Sequence, residues 1–420
     1  MSFSRSVESL LEKGVVMPQP SSVVIGAEVS PDRISGCGVV LYPGTQIYGS
    51  RTLVSSQVKL GCEGPVTLEN CQVGPSCDLK SGSFQSSVFL EGVQMARGAH
   101  VRPGCLLEEE VTTGHTVGLK QTILFPFATL GSLINFCDCF LAGGTGRKNH
   151  SEVGSGYVHF NYTPQQDKAT ASLLGDVPRG VMLRENPIFL GGQGGLVGPS
   201  CLEYGTVIAA GVVFRGDCFE ENTMILRGAS RRSTPFSRAV PGMYGAVNRK
   251  VRNNLTYMAN LLALREWYEH VRRPFFLREG LFGEAIYQGA REIIEHALRE
   301  RLKRLEEMAG KMAASADQAR KFFQNEKGKA AVKEQEMLLQ QWPGIRDLFS
   351  QEREKIFGEG ERVRFLRAWE TASCHGDSYL SAIRDIPSET VVLGVQWLQS
   401  IVTGITESGM SRLTGRNGLS

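Results

Sequence analysis

The sequence predicts a left-handed parallel β-helix of hexapeptide repeats, followed by an all-α C-terminal domain. Apolar residues recur at intervals of six at Leu190, Leu196, Leu202, Ile208 and Phe214, whereas a helix repeats every 3.6 residues and an ordinary strand every 2.0. A coil with three short faces produces this spacing, because each face takes about six residues and turns one side chain inward. The 48 glycines, most of them before residue 250, fit tight corners that require a positive φ.

The chain divides into four predicted segments. Residues 1–20 are expected to form an N-terminal helix, 21–228 the β-helix, 229–252 a basic connector and 253–420 the helical domain. Shorter runs with the spacing of six precede the long one: Leu41, Ile47 and Leu53; Val73 and Leu79; Met95, Val101 and Leu107; Val111, Val117 and Ile123. The rhythm is interrupted over 140–184, which predicts a long excursion where function tends to lie.

Composition excludes several classes of protein. A net charge of +3 on 420 residues argues against a nucleic-acid partner. No run of about 20 apolar residues predicts a membrane helix, and the charged N-terminus does not resemble a signal peptide. The 10 cysteines are scattered, without the spacing of a zinc site. We therefore expect no metal, no membrane partner and a reducing, cytoplasmic location.

The segment after the predicted coils is basic. Residues 227–252 contain seven Lys or Arg residues and no Asp or Glu, which leaves two interpretations open: a solvated exit loop, or an anion site for phosphate groups. Helices are predicted from about 247 onwards, with breaks near Pro274 and Pro343. The mixed charges of RERLKRLEE, residues 299–307, are typical of a solvated helix face. The domain could cap the solenoid or bind a partner, and no catalytic motif is evident in it.

Residues 100–228 resemble the C-terminal half of the bacterial bifunctional N-acetylglucosamine-1-phosphate uridyltransferase/glucosamine-1-phosphate acetyltransferase family. The motifs that carry the resemblance are HVRPGCLLEEE, VGLKQTILFPFATLGSLINFCD, VGSGYVHFNYTPQQDKAT and IFLGGQGGLVGPSCLEYGTVIAAGVVFRGD. The resemblance implies a groove for a nucleotide sugar or sugar phosphate, acetyl-CoA as cofactor, and a homotrimer with sites between subunits.

The resemblance also implies roles for individual residues. Arg102 and Lys120 match basic residues that hold the phosphates of the sugar nucleotide, where a cation forms charge-assisted hydrogen bonds. Asn161 and Tyr162 match a pair that positions acetyl-CoA and the acceptor sugar. Ala210 lies in the coil whose backbone lines the CoA channel.

A sixth match, Arg227, corresponds to an arginine near a CoA phosphate. The chain departs from the family at its general base, because Ser132 stands at the position of the family histidine. Acetyl transfer to an amine needs a base, and a serine hydroxyl alone cannot take the proton near neutral pH. His159 and His150 are the candidates for a replacement imidazole.

The nucleotidyltransferase half of the family is not evident. Its Gly-rich loop has a partial match in LAGGTGRKNH, where Arg147 and Lys148 follow a glycine turn. Such a turn can cradle phosphates, but it lies within the predicted solenoid, where an irregular excursion is the simpler interpretation. A γ-class carbonic anhydrase would need three zinc histidines, and the seven histidines show no such arrangement.

Two functional hypotheses follow. The first is a sugar-nucleotide-related, acyltransferase-like homologue that binds a UDP-sugar or sugar phosphate near Asn161 and Tyr162. The second is a non-catalytic sugar-nucleotide-binding or scaffold protein that has lost the base. The sequence does not decide whether the chain is an enzyme.

Overall fold

The chain folds into a parallel β-solenoid followed by helices, which confirms the predicted fold class. The computed structural model describes residues 4–162, 168–227, 242–322, 326–351, 357–372 and 378–415. Each coil passes through three short strands in a fixed order, and we name the resulting sheets faces 1, 2 and 3. We name the turns between them corners 1–2, 2–3 and 3–1.

Face 1 contains ten parallel strands. They are β1 (Val24–Ile25), β3 (Gln46–Tyr48), β6 (Val66–Glu69), β9 (Gly82–Gln85), β12 (Ala99–Val101), β15 (Val117–Lys120), β18 (Ile134–Cys137), β23 (Val158–Phe160), β26 (Gly195–Val197) and β29 (Val213–Arg215). Face 2 contains eight: β4 (Leu53–Val54), β7 (Gln72–Val73), β10 (Val88–Phe89), β13 (Leu106–Leu107), β16 (Ile123–Leu124), β19 (Cys139–Leu141), β24 (Ser172–Leu174) and β27 (Cys201–Leu202).

Face 3 again contains ten. They are β2 (Val40–Leu41), β5 (Lys59–Leu60), β8 (Asp78–Leu79), β11 (Gln94–Met95), β14 (Thr112–Thr113), β17 (Thr129–Leu130), β22 (Glu152–Val153), β25 (Phe189–Leu190), β28 (Val207–Ile208) and β30 (Met224–Ile225). An antiparallel hairpin, β20 (Gly144–Gly146) and β21 (Asn149–His150), lies outside the three faces.

The predicted period of six is the inward ladder of this solenoid. Leu190 pairs with Ile208 on face 3, and Leu196 pairs with Phe214 on face 1. Leu202 occupies face 2 between them. The four aliphatic members are at most 3% exposed, so one buried side chain per face forms a continuous core.

The predicted excursion over 140–184 is three separate insertions, because the coils continue through it. The β20–β21 hairpin leaves at corner 2–3, the described residues 161–162 and 168–171 lie at corner 1–2, and α2 (Val177–Gly180) lies at corner 2–3 one coil later. Insertions at corners leave the strand ladders intact, which is why the solenoid tolerates them.

One helix precedes the solenoid, and the described residues that follow it are mostly helical. These helices are α1 (Arg5–Glu12), α3 (Val247–Trp267), a π-helical turn (Tyr268–Arg272), α4 (Arg273–Arg278), α5 (Gly280–Gly310), α6 (Met312–Phe322), α7 (Glu326–Gln351), α8 (Glu359–Ala372), α9 (Tyr379–Asp385) and α10 (Ser388–Thr414). The predicted break at Pro343 is wrong, since α7 runs through it. Leu338 and Ile345 are fully buried on either side, and this packing outweighs the roughly 3 kcal/mol cost of an internal proline.

The C-terminal helices cover face 2. On face 3 the first residue of each strand is at least partly exposed, whereas on face 2 both residues of most strands are buried. Helix α5 packs against β4, β7 and β10, and α3 packs against β24. Gly289 permits the close approach, because a Cβ there would lie 2.3 Å from the Gln72 side-chain oxygen. The helical region is therefore a wrap along one side of the solenoid. None of the described helices combines the length and apolar character that a membrane crossing requires.

Candidate functional site

Corner 1–2 carries polar residues on successive coils. Val101 pairs with Leu119, and Lys120 pairs with Cys137. Arg102, the first residue after β12, and Lys120, the last residue of β15, therefore occupy equivalent positions one coil apart. The next coil contributes Asp138, whose φ of 58° turns the chain sharply towards face 2. The solenoid thus stacks charged side chains along one edge.

Three of the sequence-predicted residues meet in one cavity at this corner. Lys120, Asn161 and Tyr162 line a space of about 190 Å³. The rest of its described lining is Gln121, Asp138, Lys168, Glu300, Arg301 and Arg304. A second space of about 310 Å³ shares Tyr162, Lys168 and Arg304 with the first and adds Tyr244, Glu307, Met308 and Lys311. We call the two together the corner cavity. It lies between the solenoid and helix α5.

Asp138 joins the two sides of the corner cavity. Its Oδ1 accepts a hydrogen bond from Arg301 Nη2 at 2.7 Å, and its Oδ2 accepts one from Asn161 Nδ2 at 2.5 Å. Arg301 Nη2 also lies 3.1 Å from Gln121 Oε1, and the Asn161 carbonyl accepts from Thr170 at 2.6 Å. The Asn-Tyr loop and helix α5 are therefore held to the same carboxylate.

The corner cavity carries more positive than negative groups. The described lining of its smaller space has four cations, Lys120, Lys168, Arg301 and Arg304, against the carboxylates of Asp138 and Glu300. Arg304 pairs with Glu300 at 2.5 Å and with Glu307 at 2.8 Å. Among the described residues, the ammonium groups of Lys120 and Lys168 have no hydrogen-bond or ion-pair partner. Unpaired ammonium groups beside a fixed amide and an exposed tyrosine ring suit a phosphorylated, ring-containing ligand.

Arg102 lies beside the corner cavity without lining it. Its Nη2 is 3.0 Å from the Sγ of Cys137. Burial raises the pKa of the Cys137 thiol, and the positive charge of Arg102 opposes that shift. Arg102 is thus one coil from Lys120, as the resemblance implies, but in this structure its guanidinium contacts a thiol.

His159 occupies a core position. It pairs with Leu196 on face 1, is 3% exposed and packs edge-on to Phe136. Nδ1 donates to the Cys137 carbonyl at 2.7 Å, so Nε2 accepts from the Ser172 hydroxyl at 2.8 Å. Burial lowers its pKa to about 4. A neutral imidazole with both nitrogens engaged inside the solenoid has no access to a ligand at the corner cavity.

His150 and the glycine turn before it lie away from the corner cavity. The β20–β21 hairpin leaves at corner 2–3, and His150 Nδ1 is 2.8 Å from the Arg147 carbonyl. The Arg147 guanidinium donates to the carbonyls of Glu110 and Phe127, at 2.9 and 2.6 Å. The turn therefore anchors an excursion to the solenoid, which is the simpler of the two interpretations of LAGGTGRKNH.

The predicted CoA residues lie elsewhere on the chain. Ala210 is exposed at corner 3–1, and Arg227 is exposed just after β30. Ser132 is also at corner 3–1, where its hydroxyl accepts the backbone N–H of His115 at 3.2 Å. Within one chain, these three residues are separated by face 1 from the corner cavity.

The basic connector falls largely outside the described residues, which omit 228–241. The described end of the connector ties α3 to the last coils. Arg249 Nη1 lies 2.9 Å from the Pro199 carbonyl and 3.4 Å from Asp217. These contacts give Arg249 a structural role, and they leave both interpretations of the other basic residues open.

Helix α5 contributes residues that sequence reasoning missed. The expectation that residues 299–307 face solvent is wrong for Arg301, which is 3% exposed, because its guanidinium reaches Asp138. His296, one turn before Glu300, is half-buried, and burial lowers its pKa. The nearby charge of Glu300 opposes this shift, whereas those of Arg299, Arg301 and Lys120 add to it. Of the cavity residues that were not predicted, only Lys168, in the Asn-Tyr loop rather than on α5, could have been found from the sequence, because it ends the motif NYTPQQDK. No group of three or more potential metal ligands is present among the residues that the structure describes.

Relatives of this chain carry the name bifunctional protein GlmU. The one from Thermotoga maritima is 26% identical over 215 residues, which is 51% of this chain and 42% of the relative. The one from Exiguobacterium sp. is 24% identical over 234 residues, with 53% and 44% covered. The one from Nitratidesulfovibrio vulgaris is 26% identical over 238 residues, with 54% and 44% covered. No protein-family model matches.

The chain spans less than half the length of these curated relatives. Their similarity agrees with the resemblance found in the motifs, and the coils and corners agree with a hexapeptide-repeat transferase. The chain is therefore a β-solenoid homologue, over about half of its own length, of the proteins named bifunctional protein GlmU.

Proposed function

We propose that the chain is a sugar-nucleotide-related transferase homologue that binds a UDP-sugar or sugar phosphate in the corner cavity. The observation that carries this proposal is the convergence of Lys120, Asn161 and Tyr162 on one cavity. The resemblance predicted these positions independently of the structure. Lys168 adds a second unpaired ammonium from the same loop.

The chemistry of each group supports this ligand class. The ammonium groups of Lys120 and Lys168 would form charge-assisted hydrogen bonds with phosphoryl oxygens. The carbonyl and amide of Asn161 are held by Thr170 and Asp138, so this side chain is pre-organised. The Tyr162 side chain is 54% exposed and presents a ring that can pack on a sugar or a base.

Acetyl transfer would require acetyl-CoA and a base. Because Ala210, Arg227 and Ser132 lie away from the corner cavity, we propose that acetyl-CoA binds along corner 3–1. A homotrimer, which the resemblance implies, would then place this corner beside a neighbouring chain. Of the two bases proposed from the sequence, His159 is enclosed in the core, and His150 lies at corner 2–3, away from the corner cavity of its own chain. His296 is a further candidate, since burial favours its neutral form.

The alternative is a non-catalytic sugar-nucleotide-binding or scaffold protein. It is favoured by Ser132, whose hydroxyl is engaged with the His115 backbone, and by the enclosure of His159. In either case we propose a reducing, cytoplasmic environment, as the scattered cysteines of the sequence suggest.

Calorimetric titration of the purified protein with UDP-N-acetylglucosamine, and separately with acetyl-CoA, tests the proposal. We expect the nucleotide sugar to bind, and Lys120→Ala to weaken it by about 1.5–3 kcal/mol. Lys59→Ala, an exposed lysine on face 3, is the matched control and should leave binding unchanged. Binding of both ligands supports a transferase, and binding of the nucleotide sugar alone supports the non-catalytic alternative. Binding of neither contradicts both.

A further inference from the structure

Helix α5 turns one charged edge towards corner 1–2. Glu300, Arg301 and Arg304 all line the smaller space of the corner cavity. None of them belongs to the solenoid, and none was implied by the family resemblance. The wall of the cavity that faces the solenoid is therefore built from the same chain.

Arg301 is held in place but not fully used. Its side chain is 4% exposed, and Nη2 is engaged by Asp138 and Gln121. Nη1 is buried and has no hydrogen-bond partner among the described residues. Burying a guanidinium nitrogen without an acceptor costs free energy. Arg301 also lines a cavity together with Lys120 and Lys168, whose ammonium groups have no described partner. An incoming anion would supply the missing acceptor after a small shift of the side chain.

The charges at the cavity match a dianion. Among the described residues, four cations line its smaller space against two carboxylates, which leaves two positive charges without a described counter-charge. A phosphate monoester carries nearly two negative charges at neutral pH. The adjoining space, lined by Tyr162 and Tyr244, has room and aromatic surface for the ring attached to that phosphate.

We propose that helix α5 completes the phosphate site within a single chain, with Arg301 and Arg304 binding the phosphoryl group of a phosphorylated sugar opposite Lys120 and Lys168. This inference rests on the proposed function and adds to it that no second copy of the chain is needed for this ligand. The resemblance places family sites between subunits. Here the facing wall at corner 1–2 is formed by α5 of the same chain, through Glu300, Arg301 and Arg304. Asp138 is a positioning residue, since it fixes both Arg301 and Asn161.

The test compares two neighbouring cations of α5. Arg304→Gln removes a charge that lines the cavity, whereas Lys303→Gln removes one from an exposed residue that does not line it. Titrations with N-acetylglucosamine 1-phosphate and with UDP-N-acetylglucosamine should show about tenfold weaker binding for Arg304→Gln. Lys303→Gln should stay within about twofold of wild type, because exposed charges contribute little.

A third variant reverses the sign. Glu300 pairs with Arg304 at the cavity, so Glu300→Gln removes negative charge and frees the guanidinium. We expect the phosphate ligands to bind more tightly to this variant. Since both variants break the Glu300–Arg304 pair, tighter binding to Glu300→Gln would also show that loss of this pair is not by itself the cause of the Arg304→Gln effect. Comparison of the two ligands shows whether the phosphate is recognised as a monoester or as part of a diphosphate.

The outcomes separate this inference from the proposed function. Sedimentation during titration should give one ligand bound per chain in the monomeric fraction. If Lys120→Ala weakens binding while Arg304→Gln and Glu300→Gln do not change it, the proposed function stands and the role of α5 is refuted. Binding that occurs only in an oligomer also refutes it. If wild-type protein binds neither ligand, both proposals fail.

Discussion

The helical region brings an arginine to solenoid carboxylates at two corners, with opposite results. At corner 2–3, Arg272 lies 3.2 Å from Glu108 and also pairs with Glu109, and the arginine side chain is 2% exposed. At corner 1–2, Arg301 pairs with Asp138 and is 4% exposed. Burial and ion pairing are therefore nearly the same at the two corners.

The two corners differ in what surrounds the pair. Arg272 is enclosed by aromatic rings, with its guanidinium carbon 4.0 Å from the Tyr379 centroid and 4.8 Å from that of Tyr268. Burial raises the pKa of Glu108, and Arg272 opposes the shift. Arg301 instead has Lys120 and Lys168 as cationic neighbours across a cavity. Arg272 also lines a space, of about 260 Å³, but the described charged residues there are Glu91, Glu109 and Glu279 against Arg272 and Arg278. An excess of positive charge at a cavity, rather than burial or open space itself, therefore distinguishes the candidate ligand site from the structural ion pair.

The largest expected effect is at corner 2–3. Arg272→Met would leave two buried carboxylates without a cation, and we expect the free energy of unfolding to fall by about 3–5 kcal/mol. Chemical denaturation measures it. Adding Glu108→Gln and Glu109→Gln to the same variant should recover much of the loss, because no buried charge then remains. A single variant as stable as wild type would contradict a structural role for this cluster.

A second, pH-dependent effect separates a core histidine from a functional one. The folded-state pKa of His159 is about 4, below the unfolded value of about 6.5. As the pH falls, the unfolded chain therefore binds the proton before the folded chain does. The contribution of neutral His159 to stability is complete above pH 6.5 and is lost as the pH falls towards 4. The loss corresponds to about 3 kcal/mol.

His159→Gln lacks this titration and provides the control. Denaturation of both proteins from pH 7 to pH 4 should show wild type losing more stability than the variant over that interval. Parallel curves would mean that the imidazole is not enclosed as the structure has it, and would return His159 to the list of candidate bases.

The smallest expected effect on stability is at corner 1–2. The Lys120 ammonium group has no described hydrogen-bond or ion-pair partner, so Lys120→Ala should change the free energy of unfolding by no more than about 0.5 kcal/mol. The same variant is expected to lose affinity for the nucleotide sugar. Equal thermal midpoints alongside weaker calorimetric binding would sharpen the contrast with Arg272. A strongly destabilised variant would make Lys120 part of the scaffold instead.

Local patterns predicted the solenoid and half of its candidate site. The spacing from Leu190 to Phe214 is a property of neighbouring coils, and it is visible without any knowledge of tertiary structure. The same spacing held a signal that was not used: His159 lies six residues after Val153, which identifies it as an inward core position.

The other half of the site depends on contacts that no local pattern encodes. Arg301 and Asp138 are 163 residues apart, and the charges around Arg301 are typical of a solvated helix. The side of α5 that meets the solenoid depends on how the helix packs in the folded chain. The importance of Gly289 likewise depends on its contact with Gln72, which is distant in sequence. Sequence alone could therefore place the solenoid half of the corner cavity but not its helical wall.

The spacing of the turns of α5 nearly equals the spacing of the solenoid coils. A helical turn rises about 5.4 Å and strands of successive coils lie about 4.8 Å apart, so one turn of α5 nearly matches one coil. Gly289 meets Gln72, the His296 ring packs over Gly104, and Arg301 reaches Asp138, four coils beyond Gln72. Deleting one coil between β7 and β18 would move Asp138 by almost a helical turn and present it with Ala297 or Leu298 instead of Arg301. The number of coils in this part of the chain therefore matches the length of a helix that begins more than a hundred residues later.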